Sequence, residues 1–347
     1  MAWTKQRLNN LFFVVGVAAC VVMLFTFDVS FVELWEHLCH AGYWLLPIVG
    51  VWVVIYAVNA WSWYTIILSK TRGTGEKVSF MRVFRLTITG YALNYATPVG
   101  GLGGEPYRIM ELSKDVSRQH ATSSVILYAM MHFFAHFWFW FSSIFIYLAL
   151  AAVGDLPINT TIATLLAIVI VFCLLAFAIF ARGYRKGLVV KTLRWIGHIP
   201  GLKGWSARFR EKHRESLDNI DRQIAALHAD DKRAFYRSLL LEYLSRIIQS
   251  SEVFFMLLLF GIDNGGGCAG LLITYLHSIL IVSFTTLFAN LIGFLPMQLG
   301  VQEGGFVLSI AALGLSAALG IFVSIICRVR EIIWIAVGML LMRLPDK

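Results

Sequence analysis

The sequence predicts an all-α polytopic membrane protein made of two inverted-topology repeats, each with three spanning helices and one broken, re-entrant hairpin. Three observations predict it. The 347-residue chain is 59% hydrophobic and only 14% charged, against about 25% charged in a soluble domain. Apolar stretches of helix-spanning length alternate with loops that are basic or acidic in turn. Two interrupted stretches, one in each half, carry related short motifs. Short alternating strands of the kind a barrel needs are absent, so helices are the expected spans.

In chain order, residues 8–27 form the first span, after Lys5 and Arg7. No small-residue cleavage site precedes Asp28, so the segment reads as a retained span and not as a cleaved signal. Residues 28–40 carry Glu33 and Glu36 and no Lys or Arg, and residues 43–68 are the second span. Lys70, Arg72, Lys77, Arg82 and Arg85 follow, which puts the N-terminus and this loop in the cytoplasm by the positive-inside rule. Residues 83–97 are apolar but, at about 1.5 Å per residue, reach only partway across a core of roughly 30 Å. After a break, residues 105–112 lead into Lys114 and Arg118. With basic residues at both ends, this element enters and leaves on one side.

Residues 121–150 cross outward and residues 161–181 return. Residues 182–237 hold 14 Lys or Arg against 6 Asp or Glu, which fixes them inside. Their scattered apolar residues suit either a connector packed on the bundle or a segment lying on anionic lipid. Residues 235–262 cross outward. No Lys or Arg occurs between Arg246 and Arg328, so a second hairpin over 268–313, broken at Pro296, can open outward. A full span over 268–295 is the rival reading. Residues 317–342 return, which places the C-terminus inside. The chain is thus one transmembrane domain, residues 1–347, with halves 1–150 and 160–347, the second including a basic cytoplasmic segment, 182–235. The expected location is the inner membrane of a bacterial-type cell. Cys20, Cys39, Cys173, Cys268 and Cys327 show no pairing or metal spacing.

The first break holds Pro98, Gly100, Gly101, Gly103, Gly104 and Pro106, a run that no continuous helix survives. In both breaks an Asn leads to a Pro, then a Leu-Gly pair, then a Glu seven residues after the Pro: Pro98 to Glu105, and Pro296 to Glu303, with Gly300 between. Glu105 and Arg108 share a helix face at i, i+3. Arg328, Arg330 and Glu331 lie half-way along the last span, and Glu242, Arg246 and Glu252 lie in the fifth. Each such charge costs at least ~2.5–3.5 kcal/mol to insert, so each must pair or face water. The restarted helices offer free N–H groups and positive dipole ends, and the glycines allow close approach of a phosphate. An anion site with Arg108, Arg328 and Arg330 is one reading; capping of the helices by Glu105 and Glu303 is another, and exchange of arginine partners as a gate is a third. Tyr128, His132 and His136 line one face at i, i+4 spacing. A zinc site would need a further ligand, so wall hydrogen bonds are expected in place of a metal. The aromatic run from Phe133 to Phe141 is lipid-facing surface or the wall of an acyl-chain path. No Gly-Lys-Ser/Thr follows the glycines and no strand precedes them, which excludes a nucleotide loop.

At these residues the chain resembles the flippase-like membrane region of the lysylphosphatidylglycerol synthase family. The resemblance rests on Pro98, Gly104-Glu105 and Arg108 in the first break, on Pro296, Leu299-Gly300 and Glu303 in the second, and on Arg328. It departs from the family where an Arg is common and this chain has Gly101 or Leu102, and again at Gln302; a site using other arginines, or a different headgroup, would follow. The resemblance implies movement of a phospholipid or lipid-linked glycan between leaflets; together with the charges read above, an anionic cargo is expected, with Gly103, Gly104, Glu105, Arg108, Gly300, Glu303, Arg328, Arg330 and Glu331 at the site. It implies no cofactor, no nucleic acid, and no catalysis, since the family's lysyl transfer belongs to a separate soluble domain for which the chain leaves no room. Two other classes compete: a membrane-embedded transferase with Glu105, Glu303 or His132 as acid or base, and a partner that presents lipid to a separate lipid-modifying enzyme. A homo-oligomer is compatible with each.

Overall fold

The computed structural model describes residues 41–96, 103–186, 231–291 and 301–344, with isolated positions at 39 and between 204 and 222. The expected first span, most of the basic segment, and the tips of both breaks, with Pro98, Pro296 and Gly300, lie outside the described residues. Among the described residues there are nine α-helices and no strand. A short 3-10 turn (Gly42–Trp44) opens α1 (Leu45–Thr71). Then come α2 (Phe80–Ala96), α3 (Glu105–Leu112), α4 (Arg118–Ala152), α5 (Thr160–Lys186), α6 (Lys232–Leu259), α7 (Gly267–Leu291), α8 (Val301–Ala312) and α9 (Ala317–Arg343).

Four of them are long and apolar enough to cross a membrane: α1 with its leading turn, α4, α5 and α7. α6 and α9, with 28 and 27 residues, are as long, about 40 Å at 1.5 Å per residue. Hydropathy alone passes over them because charged residues sit at mid-length. α5 is apolar on every side and largely exposed, with Leu165, Ile168, Leu174, Leu175 and Ile179 all open, which lipid accommodates and water does not. α7 has 25 residues, so it has the length of a full span, whereas α2 has 17.

The bundle is organised on two seams. α6 runs along α1, and α2 runs along α9. The first seam is fastened by Ser62 Oγ, 2.8 Å from Ser238 Oγ. It is closed at one end by Asp231, which accepts from the Ala234 N–H as the N-cap of α6 and from Ser69 Oγ at the end of α1. Those two donors hold the Asp231 carboxyl below the usual carboxylate range. In the second seam Gly338 rests on Ala92, and a side chain at Gly338 would overlap it; small residues let membrane helices approach this closely.

α2 and α3 form an antiparallel pair. Arg82 bridges to Glu111 at 3.1 Å and to Asp115 at 3.1 Å at one end. Further along, Arg108 Nη2 donates to the Thr87 carbonyl at 3.2 Å. At the other end Asn94 Oδ1 accepts from the Gly104 N–H at 2.6 Å. Gly104 packs so tightly on the Gly90 carbonyl that a Cβ there would overlap it. Gly104→Ala is therefore expected to cost about 1–3 kcal/mol of overpacking, read as a lower melting temperature in detergent. Gly304→Ala, where nothing lies within 4 Å of the added carbon, is expected to leave melting unchanged or raise it by up to about 1 kcal/mol of helix propensity.

Candidate functional site

The mid-lengths of α1, α4, α6 and α9 and the C-terminal parts of α2 and α7 converge on a cavity of about 240 Å³, to which α3 and α8 add Glu105, Arg108, Gln302 and Phe306. Its wall is aromatic and polar: Trp52, Asn59, Tyr91, Asn94, Tyr95, Tyr128, His132 and His136 face it. Four arginines reach it, Arg108, Arg246, Arg328 and Arg330, and they sort into three clusters by what neutralises them.

The first cluster sits where the chain restarts after the first break. Arg108 Nη1 donates to Glu105 Oε1 at 2.7 Å, the i, i+3 pair the spacing predicts. Arg108 is 1% exposed, and its guanidinium lies 4.8 Å from the Tyr91 ring and 5.3 Å from the Tyr128 ring, so aromatic faces complete its solvation. Asn94 holds this corner together, accepting from the Gly104 N–H and lying 3.4 Å from Glu105 Oε1.

The second cluster joins α6, α8 and α9. Arg328 Nε donates to Glu303 Oε1 at 2.8 Å, and its Nη1 donates to Glu331 Oε2 at 2.8 Å. Arg330 grips Glu252 with two hydrogen bonds, of 2.8 and 3.2 Å, the bidentate form that an arginine fork favours. Its guanidinium stacks 3.8 Å from the centre of the Trp52 ring. Glu331 also lies 3.8 Å from Arg330, between the two arginines, and Gln302 Nε2 donates to it at 3.3 Å.

The third cluster differs. Arg246, 8% exposed, has no carboxylate within ion-pair distance among the described residues. Its Nη1 donates to Gln249 Oε1 at 3.0 Å, and its Nη2 rests on the His132 imidazole, 2.8 Å from Nδ1. The same His132 Nδ1 is 2.8 Å from Glu242 Oε2 and 3.1 Å from the Tyr91 hydroxyl. Among the described residues, the buried side-chain atoms with no hydrogen-bond partner include Arg108 Nε, Arg246 Nε, Arg330 Nη1, Glu105 Oε2, Glu242 Oε1 and Glu303 Oε2. Buried polar atoms are rarely left unpaired in a finished core, and most of those here belong to the three charged clusters.

Glu105, Arg108, Arg328, Arg330 and Glu331, all expected from sequence, line this cavity. Glu303 joins them through Arg328. Gly104, with Gly103 before it, packs on α2, where its missing side chain serves the close approach of two backbones. Gly300 lies outside the described residues. Sequence reading noted Arg246 as one charge among several; nothing in the chain distinguishes it from Arg330, because the difference is which helix happens to supply a carboxylate. Gly90 and Asn94 had no individual signal beyond the shared Asn of the two motifs. Among the described residues, no three His, Cys, Asp or Glu side chains gather as a metal site would need.

The model of the lysylphosphatidylglycerol synthase TM region matches residues 12–338, nearly the whole chain. The chain belongs to this family. No curated protein and no solved structure matches it. As a lysylphosphatidylglycerol synthase TM region, the chain is an integral membrane protein linked to lipid handling, and its charged cavity lies inside the matched residues.

Removing one partner of a buried pair leaves the other charge unpaired. Glu252→Ala is therefore expected to destabilise this TM region by about 3–5 kcal/mol, and Glu252→Leu combined with Arg330→Met to recover most of that loss. Thermal unfolding in detergent measures both. Arg246→Gln, which strands no directly paired carboxylate, is expected to cost less than Arg330→Gln in the same measurement.

Proposed function

We propose that this protein moves an anionic phospholipid, or an anionic lipid-linked headgroup, between the leaflets of the membrane. The observation that carries the reading is Arg246: a buried arginine at the mid-length of α6, facing a cavity, with no directly paired carboxylate among the described residues. A buried cation with no directly paired carboxylate is costly and marks functional sites in membranes. A headgroup phosphate is a direct partner for it. In this reading it lies between α3 and α8, with Arg108, Arg328 and Arg330 and their carboxylates Glu105, Glu303 and Glu331 as the surrounding frame.

A second cavity supports a lipid in preference to a free anion. It measures about 130 Å³ and lies between α4, α5, α7 and α8, lined mostly by apolar side chains such as Ile144, Leu166, Val169 and Phe284. Trp140 lines it, and Trp140 Nε1 donates at 3.1 Å to Thr286 Oγ1, which lines the charged cavity. One hydrogen bond thus stands between a polar chamber sized for a headgroup and an apolar one suited to an acyl chain.

The packing also supports two inverted repeats with broken, re-entrant elements meeting at a midplane site, a plan common in transporters. Under exchange of the halves α1 corresponds to α6, α2–α3 to α7–α8, and α4 to α9. α1 packs on α6; α2 packs on α9 as α7 packs on α4; α3 packs on α4 as α8 packs on α9. Arg85 Nη2 donates to the Leu344 carbonyl at 2.7 Å, which brings the start of α2 and the end of α9 to one side. That side is the cytoplasm of the cell membrane in the charge-based topology.

In vesicles of neutral lipid carrying a fluorescent phosphatidylglycerol reporter, the wild type is expected to expose the inner-leaflet reporter faster than empty vesicles. Arg246→Gln should slow this at least about tenfold, the equivalent of ~1.4 kcal/mol. A wild type no faster than protein-free vesicles, with phosphatidylglycerol and with a zwitterionic reporter alike, would end the transport reading.

A further inference from the structure

We propose that the Glu242–His132 pair takes up one proton for each anionic headgroup that Arg246 binds, so that lipid movement is coupled to a proton gradient. The proposal rests on the lipid-transfer reading and adds to it a proton-binding site and a driving force.

Glu242 is 0% exposed. Its Oε2 lies 2.8 Å from His132 Nδ1, and its Oε1 has no hydrogen-bond partner. Arg246 is one turn further along the same helix, the spacing at which opposite charges usually pair, yet no direct bridge forms between them. The carboxylate without an arginine and the arginine without a carboxylate share one imidazole instead. Arg246 Nη2 touches both ring nitrogens, and lies nearer to Nε2 than to Nδ1. A single tautomer of neutral His132 satisfies both partners: the Nδ1–H donates to Glu242 Oε2, and the Nε2 lone pair accepts from Arg246. In this state Arg246 is occupied and its charge is balanced through the ring.

Charge balance then dictates what an entering anion requires. Among the described residues, the cavity and its clusters hold four arginines (Arg108, Arg246, Arg328, Arg330) against five glutamates (Glu105, Glu242, Glu252, Glu303, Glu331). A phosphate diester brings one more negative charge into a site that already has an excess of one. Unbalanced charge is strongly disfavoured at this depth. One proton on the Glu242–His132 pair removes the added charge. With that proton shared along the Oε2–Nδ1 hydrogen bond, Nε2 carries an N–H. It no longer accepts from Arg246, which is released toward the cavity, and it becomes a donor to the anion itself. The step is a proton transfer from water to an oxygen or nitrogen lone pair; no other bond forms or breaks.

The remaining groups that face the pair do not substitute for it. α4 contributes Tyr128 and His136, the latter with its Nδ1 2.9 Å from the His132 carbonyl. α2 contributes the Tyr91 hydroxyl, and α3 contributes Arg108, already held by Glu105. α1 presents Asn59 and Ser62, and α7 presents Thr285 and Thr286, none of which titrates. A phenol ordinarily ionises near pH ~10, which leaves the imidazole–carboxylate pair as the group here that takes up the proton.

The test is calorimetric binding of dihexanoyl phosphatidylglycerol to the full chain in detergent, in two buffers of different ionisation enthalpy. The wild type is expected to take up one proton per lipid bound. Its affinity should rise as pH falls, by up to about tenfold per pH unit, because the bound state carries the extra proton. Glu242→Gln should bind with no proton uptake and with affinity flat in pH. The wild-type proton count needs no variant, so it decides the question even if Glu242→Gln fails to fold. Wild-type binding with no proton uptake and unchanged affinity between about pH 5 and pH 8 overturns the coupling and leaves the lipid reading standing. No binding of the anionic lipid at any pH removes both.

Discussion

A charge placed half-way along a membrane helix has to be neutralised where it stands, and this constraint shapes the architecture. Arg330 sits at the mid-length of α9 and is held by Glu252 from α6 and by the face of Trp52 from α1. Arg328, two residues earlier, draws Glu303 from α8. Arg108 is served by Glu105 at the start of α3. Two of those carboxylates, Glu105 and Glu303, come from the first turns of the short helices α3 and α8, which bring them to Arg108 and Arg328. Gly90 and Gly104, and Gly338 against Ala92, allow the broken pair to lie close enough for these bonds to form.

The same constraint explains why one arginine stands apart. Arg246 lies on α6, between Glu242 and Glu252, yet neither pairs with it directly: Glu252 is committed to Arg330, and His132 is interposed before Glu242. Three arginines with carboxylate partners build a frame. The fourth is balanced only through a titratable ring, so it can be handed to another anion at smaller cost. That inequality, more than the number of charges, is what the proposed headgroup site rests on.

Much of the fold was legible because the membrane enforces it. α1, α4 and α5 follow from apolar runs bounded by loops of alternating charge, and the Glu that ends each shared motif falls in the first turn of α3 or α8. α6 and α9 were legible by length but not by hydropathy, since the charges that lower their score are those of the site. For α7, 25 residues of apolar helix satisfy both a span and the arm of a hairpin, and charge-free flanks give no way to choose. In the site, Glu105 with Arg108 was readable from i, i+3 spacing. The partners of Arg328 and Arg330 were not, because they come from α6 and α8 and depend on helix rotation. Glycine at 104 was read as room for a phosphate; its packing against Gly90 is a tertiary fact with no local signature. His132 was visible only as one of a polar stripe, and its position between Glu242 and Arg246 arises where α4 crosses α6.

The most direct measurement is the identity of the lipid retained by the purified protein, by mass spectrometry, in the wild type and in Arg246→Gln. One anionic lipid class enriched over the membrane from which the protein was extracted, and lost in the variant, is the predicted result. The same bulk lipid mixture on both proteins would contradict a headgroup site at Arg246.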